Sequence, residues 1–199
     1  MEPTASATIA RPSTAPSRGV EALLKVAGPA TTRGGLEIYL RPIFASDAPL
    51  VRALLETLSA RSVFLRFNRH VDPSSPDLIR TLMAEDNARV AVMVALDRRL
   101  GPTTMLGMGR VILPRTTSTA EFTVVVGEPW QGMGVGAELL DRLIAAAREV
   151  GIRRMWGLAL VQNTGVLRLA RHLGCTVHYD PGCPQVEITL DVSRSATGA

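Results

Sequence analysis

The chain has 199 residues, of which 46% are hydrophobic, so it is long enough for one globular domain and too apolar for a disordered protein. No apolar run approaches the roughly 18 residues of a membrane span, and the N-terminus lacks the apolar core of a secretory signal, so we expect a cytoplasmic protein with no membrane partner. The net charge is +4 and Lys25 is the only lysine, but no basic run with interleaved aromatic residues indicates nucleic-acid binding.

The N-terminal residues 1–35 are rich in Ala, Pro, Ser and Thr, and they offer too little apolar surface to order themselves. We predict a disordered tail over 1–35, although residues 20–26 could form one or two amphipathic turns. The folded domain then spans residues 36–192, and residues 193–199 form a second disordered tail.

The domain begins with an alternating strand at 36–42 that ends at Pro42. Two segments with apolar residues on one side at helical spacing and a third short helix opened by Pro76 follow. Three strands come next, and their short connections indicate an antiparallel meander. The order predicts a single α/β domain around one twisted mixed sheet. After the first strand, the predicted elements are helices at 47–58, 60–68 and 77–84, strands at 89–96, 105–113 and 120–126, a helix at 134–150, a strand at 153–160, a helix at 164–173, and a closing hairpin of strands at 175–179 and 185–191.

A glycine-rich segment, 130–137, joins the apolar strand 120–126 to the helix 134–150. Glycine lets a backbone approach a ligand closely, and the first N–H groups of a helix point outward with the positive end of its dipole. The segment therefore predicts a phosphate site, with a plain tight turn as the alternative.

Two common phosphate loops do not fit this segment. The nucleoside triphosphate loop needs a Lys after its glycines, and none follows here. Gly132, Gly134 and Ala137 satisfy a dinucleotide fingerprint, but that motif also needs an acidic residue at the end of the next strand, and 153–160 contains none.

A third pattern fits, because Gln131 to Gly136 match Q/R-x-x-G-x-G/A. This is the acyl-CoA pyrophosphate loop of the GNAT acetyltransferase superfamily, which the chain resembles over 36–192. Asn163 to Gly174 resemble the superfamily's N-x-x-x-L-x-x-x-x-x-L-G-F motif, with Cys175 in place of Phe. The resemblance implies the GNAT fold, a mostly antiparallel twisted sheet with helices on both faces, and acetyl-CoA as co-substrate.

The resemblance also assigns the acetyl-CoA contacts. In that fold the strand before the loop splays from the next one, the pantetheine arm pairs with its free edge, and the loop N–H groups hold the pyrophosphate. Asn163 could contact CoA, or it could cap the helix that follows. The predicted cofactor-binding residues are Val124, Val125, Val126, Gln131, Gly132, Met133, Gly134, Val135, Gly136, Ala137 and Asn163.

Acetyl transfer to an amine needs a group that accepts the proton of the ammonium. Ala120-Glu121-Phe122 and the segment 59–67 resemble bacterial protein lysine acetyltransferases of the Pat type, in which a Glu at this place is the proposed base. We predict Glu121 as the general base, with a pKa raised by partial burial; an exposed strand residue is the alternative. Many relatives protonate the leaving CoA thiolate with a Tyr at the position where this chain has Ala170. The proton donor here is then solvent, with Tyr179 as a second candidate.

The predicted function is an acetyl-CoA-dependent N-acetyltransferase whose acceptor is a protein lysine, for example on an acyl-CoA synthetase. A small-amine acetyltransferase for a polyamine or an aminoglycoside stays open, as does an acyl-CoA-binding regulatory module without turnover. Glu85 and Asp86 are the only close acidic pair near the predicted acceptor cleft. We predict no metal site, because Cys175, His178 and Cys183 lack any standard zinc spacing.

Overall fold

The structure is a computed structural model that describes residues 17–83, 89–99, 104–114 and 116–193. Its helices and strands, in chain order, are α1 (Arg18–Val26), β1 (Gly28–Thr31), β2 (Glu37–Pro42), α2 (Ala48–Glu56), α3 (Ala60–Phe67), α4 (Pro76–Met83), β3 (Val90–Asp97), β4 (Met105–Ile112), β5 (Thr119–Val126), α5 (Val135–Glu149), β6 (Arg154–Leu160), α6 (Thr164–His172), β7 (Thr176–Tyr179) and β8 (Gln185–Asp191). Short 3-10 turns at Ala45–Asp47 and Glu128–Trp130 precede α2 and the glycine segment.

The strands form one eight-stranded sheet in the order β1-β2-β3-β4-β5-β6-β8-β7. Every neighbouring pair is antiparallel except β5 and β6, which run parallel. A parallel pair needs a crossover between its strands, and α5 supplies it here. The predicted mixed, mostly antiparallel sheet, the central meander and the closing hairpin are therefore confirmed.

Helices cover both faces of the sheet, as predicted. On one face α5 presents Leu139, Leu143 and Ala146, spaced at helical intervals, to a core that α1 and α6 also join. On the other face α2, α3 and α4 pack over β3 and β4, with Leu54 and Val63 among the buried side chains. Because it is covered on both sides, β3 is buried over its full length, which matches its nearly continuous apolar sequence. No helix in the described ranges has the length and apolar character needed to cross a bilayer.

The predicted start of the ordered domain at residue 36 is wrong. Residues 18–31 form α1 and β1, and β1 pairs with β2 as an edge strand. The Arg142 side chain of α5 donates to the Val26 carbonyl at 2.8 Å, and Leu23 is fully buried. This segment is only weakly apolar on average, but its few apolar residues pack against β3 and α5, which lie far away in sequence. Residues 1–16 of the predicted tail, residues 194–199 of the second tail, and Glu85 and Asp86 lie outside the described ranges.

Candidate functional site

The sheet opens between β5 and β6. These strands are paired only where Thr119, Ala120 and Glu121 face residues 154–156, whereas β5 stays paired with β4 up to Val126 and β6 stays paired with β8 up to Leu160. Pairing between β5 and β6 therefore ends directly after Glu121, which leaves a gap in the sheet on the side of the glycine segment. The predicted splay of these strands is present.

The backbone groups on the gap side of β5 alternate along the strand. A Cβ built on Gly157 of β6 would stand 2.9 Å from the Phe122 carbonyl oxygen, whereas one on Gly107 of β4 would stand 2.8 Å from that of Val125. Because carbonyl directions alternate along a strand, Phe122, Val124 and Val126 face the gap and Val125 faces β4. The Val126 carbonyl already accepts a hydrogen bond from the Gln131 side chain at 3.1 Å. Val124 is thus the predicted edge residue whose backbone lies most open to a ligand in the gap.

The glycine segment offers a cluster of free main-chain donors. Four N–H groups of the segment, those of Trp130, Gln131, Met133 and Ala137, donate to the carbonyls of residues 127, 128, 130 and 134. The remaining four N–H groups have no acceptor among the described residues, and they surround the N-terminus of α5, where the helix dipole favours an anion. These four groups belong to Gly132, Gly134, Val135 and Gly136.

The conformation of this loop depends on glycine and on the N-terminal hairpin. Gly134, at the N-cap of α5, has a φ of +92°, and Gly132 has a φ of +75°. A Cβ on Gly134 would also stand 3.1 Å from the Arg33 nitrogen. The turn between β1 and β2 supports the loop directly, since the Gly34 N–H donates to the Met133 carbonyl at 3.1 Å. Sequence reasoning missed this support because it placed residues 1–35 in a tail.

Asn163 has an observed structural role. Its side-chain oxygen accepts a hydrogen bond from the Val166 N–H at 3.2 Å, which caps α6. Ala170 is buried on the same helix. Tyr179, the substitute considered for the missing Tyr, is exposed on β7, three strand positions from β5 or about 14 Å along the sheet. This position separates Tyr179 from the gap.

Glu121 stands at the paired end of the gap, half-buried on the face that α2, α3 and α4 cover. In this register it is opposite Ile112 of β4 and Trp156 of β6. Its carboxylate makes no hydrogen bond or ion pair with any residue in the described ranges. A carboxylate without a hydrogen-bond or ion-pair partner in the described ranges is available to accept a proton from a ligand.

Two arginines lie near enough to this carboxylate for their charges to interact with it. Arg110 of β4 pairs with Thr123, which shares a strand face with Glu121, and Arg66 approaches from α3. Burial and, to a smaller extent, the charge of Arg110 lower the pKa of Arg66 to about 10, and the charge of Glu121 opposes this shift. Burial likewise lowers the pKa of Arg110, again opposed by Glu121. Nothing in the local sequence marked Arg110.

A second carboxylate links the start of α3 to the glycine loop. Glu128, three residues before Gln131, accepts hydrogen bonds from the backbone N–H and the hydroxyl of Ser59 and from the Ser62 hydroxyl at the start of α3. The backbone N–H of Ser59 is the largest cause of the lowered pKa of Glu128. Desolvation opposes it, and the hydroxyls of Ser59 and Ser62 lower the pKa further. The paired serines of the segment 59–67 therefore serve to hold the 3-10 turn that leads into the loop.

The two cysteines are both free. Burial raises the pKa of the Cys175 thiol to about 11, so this group is a neutral apolar side chain at ordinary pH, whereas Cys183 is exposed. The described part of the chain contains no group of three or more His, Cys, Asp or Glu side chains placed to hold a metal ion.

Sequence comparisons identify related proteins. The sequence model of the acetyltransferase (GNAT) family matches residues 52–175. An acetyltransferase of Pseudomonas aeruginosa is 28% identical over 147 residues, covering 74% of this chain and 79% of that protein. The acetyltransferase Pat of Mycolicibacterium smegmatis is 28% identical over 164 residues, which cover 81% of this chain and 48% of Pat. The chain thus spans about half the length of Pat.

Solved structures share the fold. The GNAT domain of S. lividans PAT superposes with a TM-score of 0.75 at 23% identity, covering 84% of this chain and 97% of that one. Salmonella typhimurium yncA, solved with acetyl-CoA, superposes with a TM-score of 0.58 at 23% identity, covering 81% and 98%. The family match covers more than half of the sequence, and the splayed strands and the free amides at the α5 N-terminus agree with it. The chain therefore belongs to the GNAT family of acetyl-CoA-dependent acetyltransferases.

Proposed function

We propose that this chain transfers the acetyl group of acetyl-CoA to the side-chain amine of a lysine in a protein acceptor, with Glu121 as general base. The observation that carries the proposal is the position of the Glu121 carboxylate, which is unpaired and stands where β5 and β6 separate. The relatives named Pat support a protein acceptor.

The dimensions of the site support this arrangement. The backbone of β5 rises about 17 Å from Glu121 to Val126, just before the free amides of the loop. An extended pantetheine arm is of comparable length, so a pyrophosphate at Gly134 and Val135 and a thioester near Glu121 are compatible. In this arrangement Val124 offers its backbone to the pantetheine amides, and Asn163 keeps its role as a helix cap.

The proposed reaction is a direct transfer. The ammonium of the acceptor gives a proton to the Glu121 carboxylate, and the neutral amine attacks the thioester carbonyl carbon. The new C–N bond forms as the C–S bond breaks, and the amine's second proton leaves through solvent. The CoA thiolate takes a proton from water, since Ala170 stands where many relatives carry a Tyr.

The charges beside Glu121 argue against the small-amine alternative. Two guanidinium groups and one carboxylate leave one excess positive charge at the acceptor end of the gap. A polyamine or aminoglycoside carries several positive charges and would meet like charge there, whereas a lysine side chain brings only one.

The experiment that tests the function measures thiol release from acetyl-CoA, with an acyl-CoA synthetase as acceptor in one reaction and spermine in a parallel one. We expect release with the protein and one acetyl-lysine by mass spectrometry, and none with a synthetase whose lysines are dimethylated beforehand. Release only with spermine would assign a small-amine enzyme. Binding of acetyl-CoA without release in either reaction would favour the regulatory module.

A further inference from the structure

Arg66 and Arg110 each bury an Nε–H group that has no hydrogen-bond partner among the described residues. Neither arginine makes an ion pair there. Arg66 lies over the Phe67 ring, with its Cζ 5.1 Å from the ring centroid, and this contact uses the face of the guanidinium but not its donor edge. Buried N–H donors without acceptors are rare and unfavourable, so this pair needs an explanation.

A paired arginine on the same sheet shows what is missing. Arg41 of β2 makes two hydrogen bonds to the Asp47 carboxylate, at 2.7 and 2.8 Å, and its charge is balanced. Arg66 and Arg110 are similarly half-buried. Glu121 is the carboxylate whose charge acts on both of them, but it does not lie within hydrogen-bond distance of either one. The cluster therefore lacks both an acceptor oxygen and one negative charge.

The cluster lies where an acceptor must enter. Arg110 shares the covered sheet face with Glu121, and α3, which carries Arg66, also approaches β6 on the other side of the gap. Both arginines keep part of their side chains exposed. A group bound at their donor edges would therefore stand beside the amine that Glu121 deprotonates.

We infer that Arg66 and Arg110 form a carboxylate-binding subsite of the acceptor cleft, so that the target lysine is recognised together with a neighbouring Asp or Glu of the acceptor. A carboxylate supplies planar acceptor oxygens that match the guanidinium fork, and it neutralises the excess charge. The statement that the bound carboxylate neighbours a target lysine rests on the proposed function. Binding of a carboxylate by the two arginines does not depend on it.

The binding test uses the whole chain with acetyl-CoA bound and observes the arginine Nε–H signals by NMR. Loss of a signal in Arg66→Lys or Arg110→Lys assigns it. Acetate at constant ionic strength should shift both signals along a saturable curve, whereas the neutral isostere acetamide should not. Equal effects of acetate and acetamide, or no saturation with acetate, would overturn the subsite whether or not the enzyme acetylates lysine.

The specificity test compares two peptides that differ only in an Asp or an Asn next to one lysine. We expect the kcat/KM of the Asp peptide to be about tenfold higher, a ratio typical of one added charge-assisted contact. Arg110→Met should abolish this preference, Arg110→Lys should restore part of it, and Arg61→Met, on the exposed side of α3, should leave it intact. Equal acetylation of both peptides by the wild type refutes the subsite while preserving the proposed function. Saturable acetate binding without acetylation of either peptide supports the subsite and refutes the lysine acceptor.

Discussion

The carboxyl end of β5 leads into a loop whose free groups are main-chain amides, whereas its amino end carries a charged side chain among charged neighbours. The loop amides come from one short segment, Gly132 to Gly136, and side chains contribute little to them. The charges at the other end come from α3, which is far from the other two elements in sequence, and from the consecutive strands β4 and β5. The proposed cofactor end is thus built by local conformation, and the proposed acceptor end by tertiary packing.

This difference predicts how each end tolerates mutation. At the loop, a side chain matters mainly where it changes the backbone, so glycines are critical and residues such as Met133 are replaceable. At the acceptor end, each charged side chain acts directly, so an isosteric change that removes one charge has a large effect. The variants below test this contrast, starting with the largest expected effect.

Glu121→Gln removes the proposed base and keeps the shape of the side chain. We expect kcat to fall by about 10²-fold or more, with the Kd of acetyl-CoA unchanged, because the carboxylate acts on the acceptor. Thiol release and calorimetric titration with acetyl-CoA measure the two quantities. Glu187→Gln, an exposed carboxylate on β8, is the matched control. An unchanged rate for Glu121→Gln across neutral and mildly alkaline pH would exclude the role.

Gly134→Ala tests the cofactor end. The residue has a φ of +92°, so the alanine should cost about 1–2 kcal/mol in unfolding free energy and displace the free amides. We expect the Kd of acetyl-CoA to rise about tenfold, with kcat at saturation nearly unchanged. Gly151→Ala is the control, since its φ is +82° and its Cβ would meet open space far from the loop. Equal loss of affinity in both variants would mean that general destabilisation, not loop geometry, is responsible.

Glu128→Gln tests the connection between the two ends. Loss of the charged acceptor for Ser59 and Ser62 should loosen the 3-10 turn before the loop, so we expect the KM of acetyl-CoA to rise a few-fold. Glu56→Gln, an exposed glutamate on α2, serves as the control. If kcat falls while the KM of acetyl-CoA stays constant, Glu128 acts on the acceptor side instead.

The same variant has a pH signature. The pKa of Glu128 is lowered on folding, so its ionised form stabilises the protein above the usual value of 4.5, and this contribution is lost as pH falls through the lower folded-state pKa. The melting temperature of the wild type should therefore exceed that of Glu128→Gln near neutral pH and converge with it in acid. A difference that stays constant down to the lowest pH would contradict the linkage.

Asn163→Ser gives the smallest expected effect. Serine caps a helix about as well as asparagine, so the acetyl-CoA affinity and stability should both stay within error of the wild type, whereas Asn163→Ala should lose about 1 kcal/mol of stability. Thermal melts and titrations with acetyl-CoA distinguish the outcomes. Weaker acetyl-CoA binding in the serine variant, at unchanged stability, would support a direct contact with CoA.

The regular elements were predictable because their signals are local. The apolar spacing of α5, the alternation of β2 and the short turns of the meander can each be read from a few neighbouring residues. The predicted bounds of these elements differ from the observed ones by one or two residues. The weak point was the N-terminal segment. Residues 20–26 indicated one or two amphipathic turns, but α1 and β1 form because β2, β3 and α5 provide partners, which residues 18–31 do not reveal.

The sequence by itself determined the order of the elements, the glycine loop and the candidate base, since each depends on residues that are neighbours in the chain. Tertiary structure alone decided which groups meet Glu121, how the β1–β2 turn supports Met133, and that Ser59 and Ser62 hold Glu128. Most of these contacts join residues separated by tens of positions in sequence, and all of them exist only after the sheet has assembled. Arg110 is the clearest case: its strand neighbours are glycine and valine, and its charge acquires meaning only because the β4–β5 register and the packing of α3 bring it to the acceptor end of the gap.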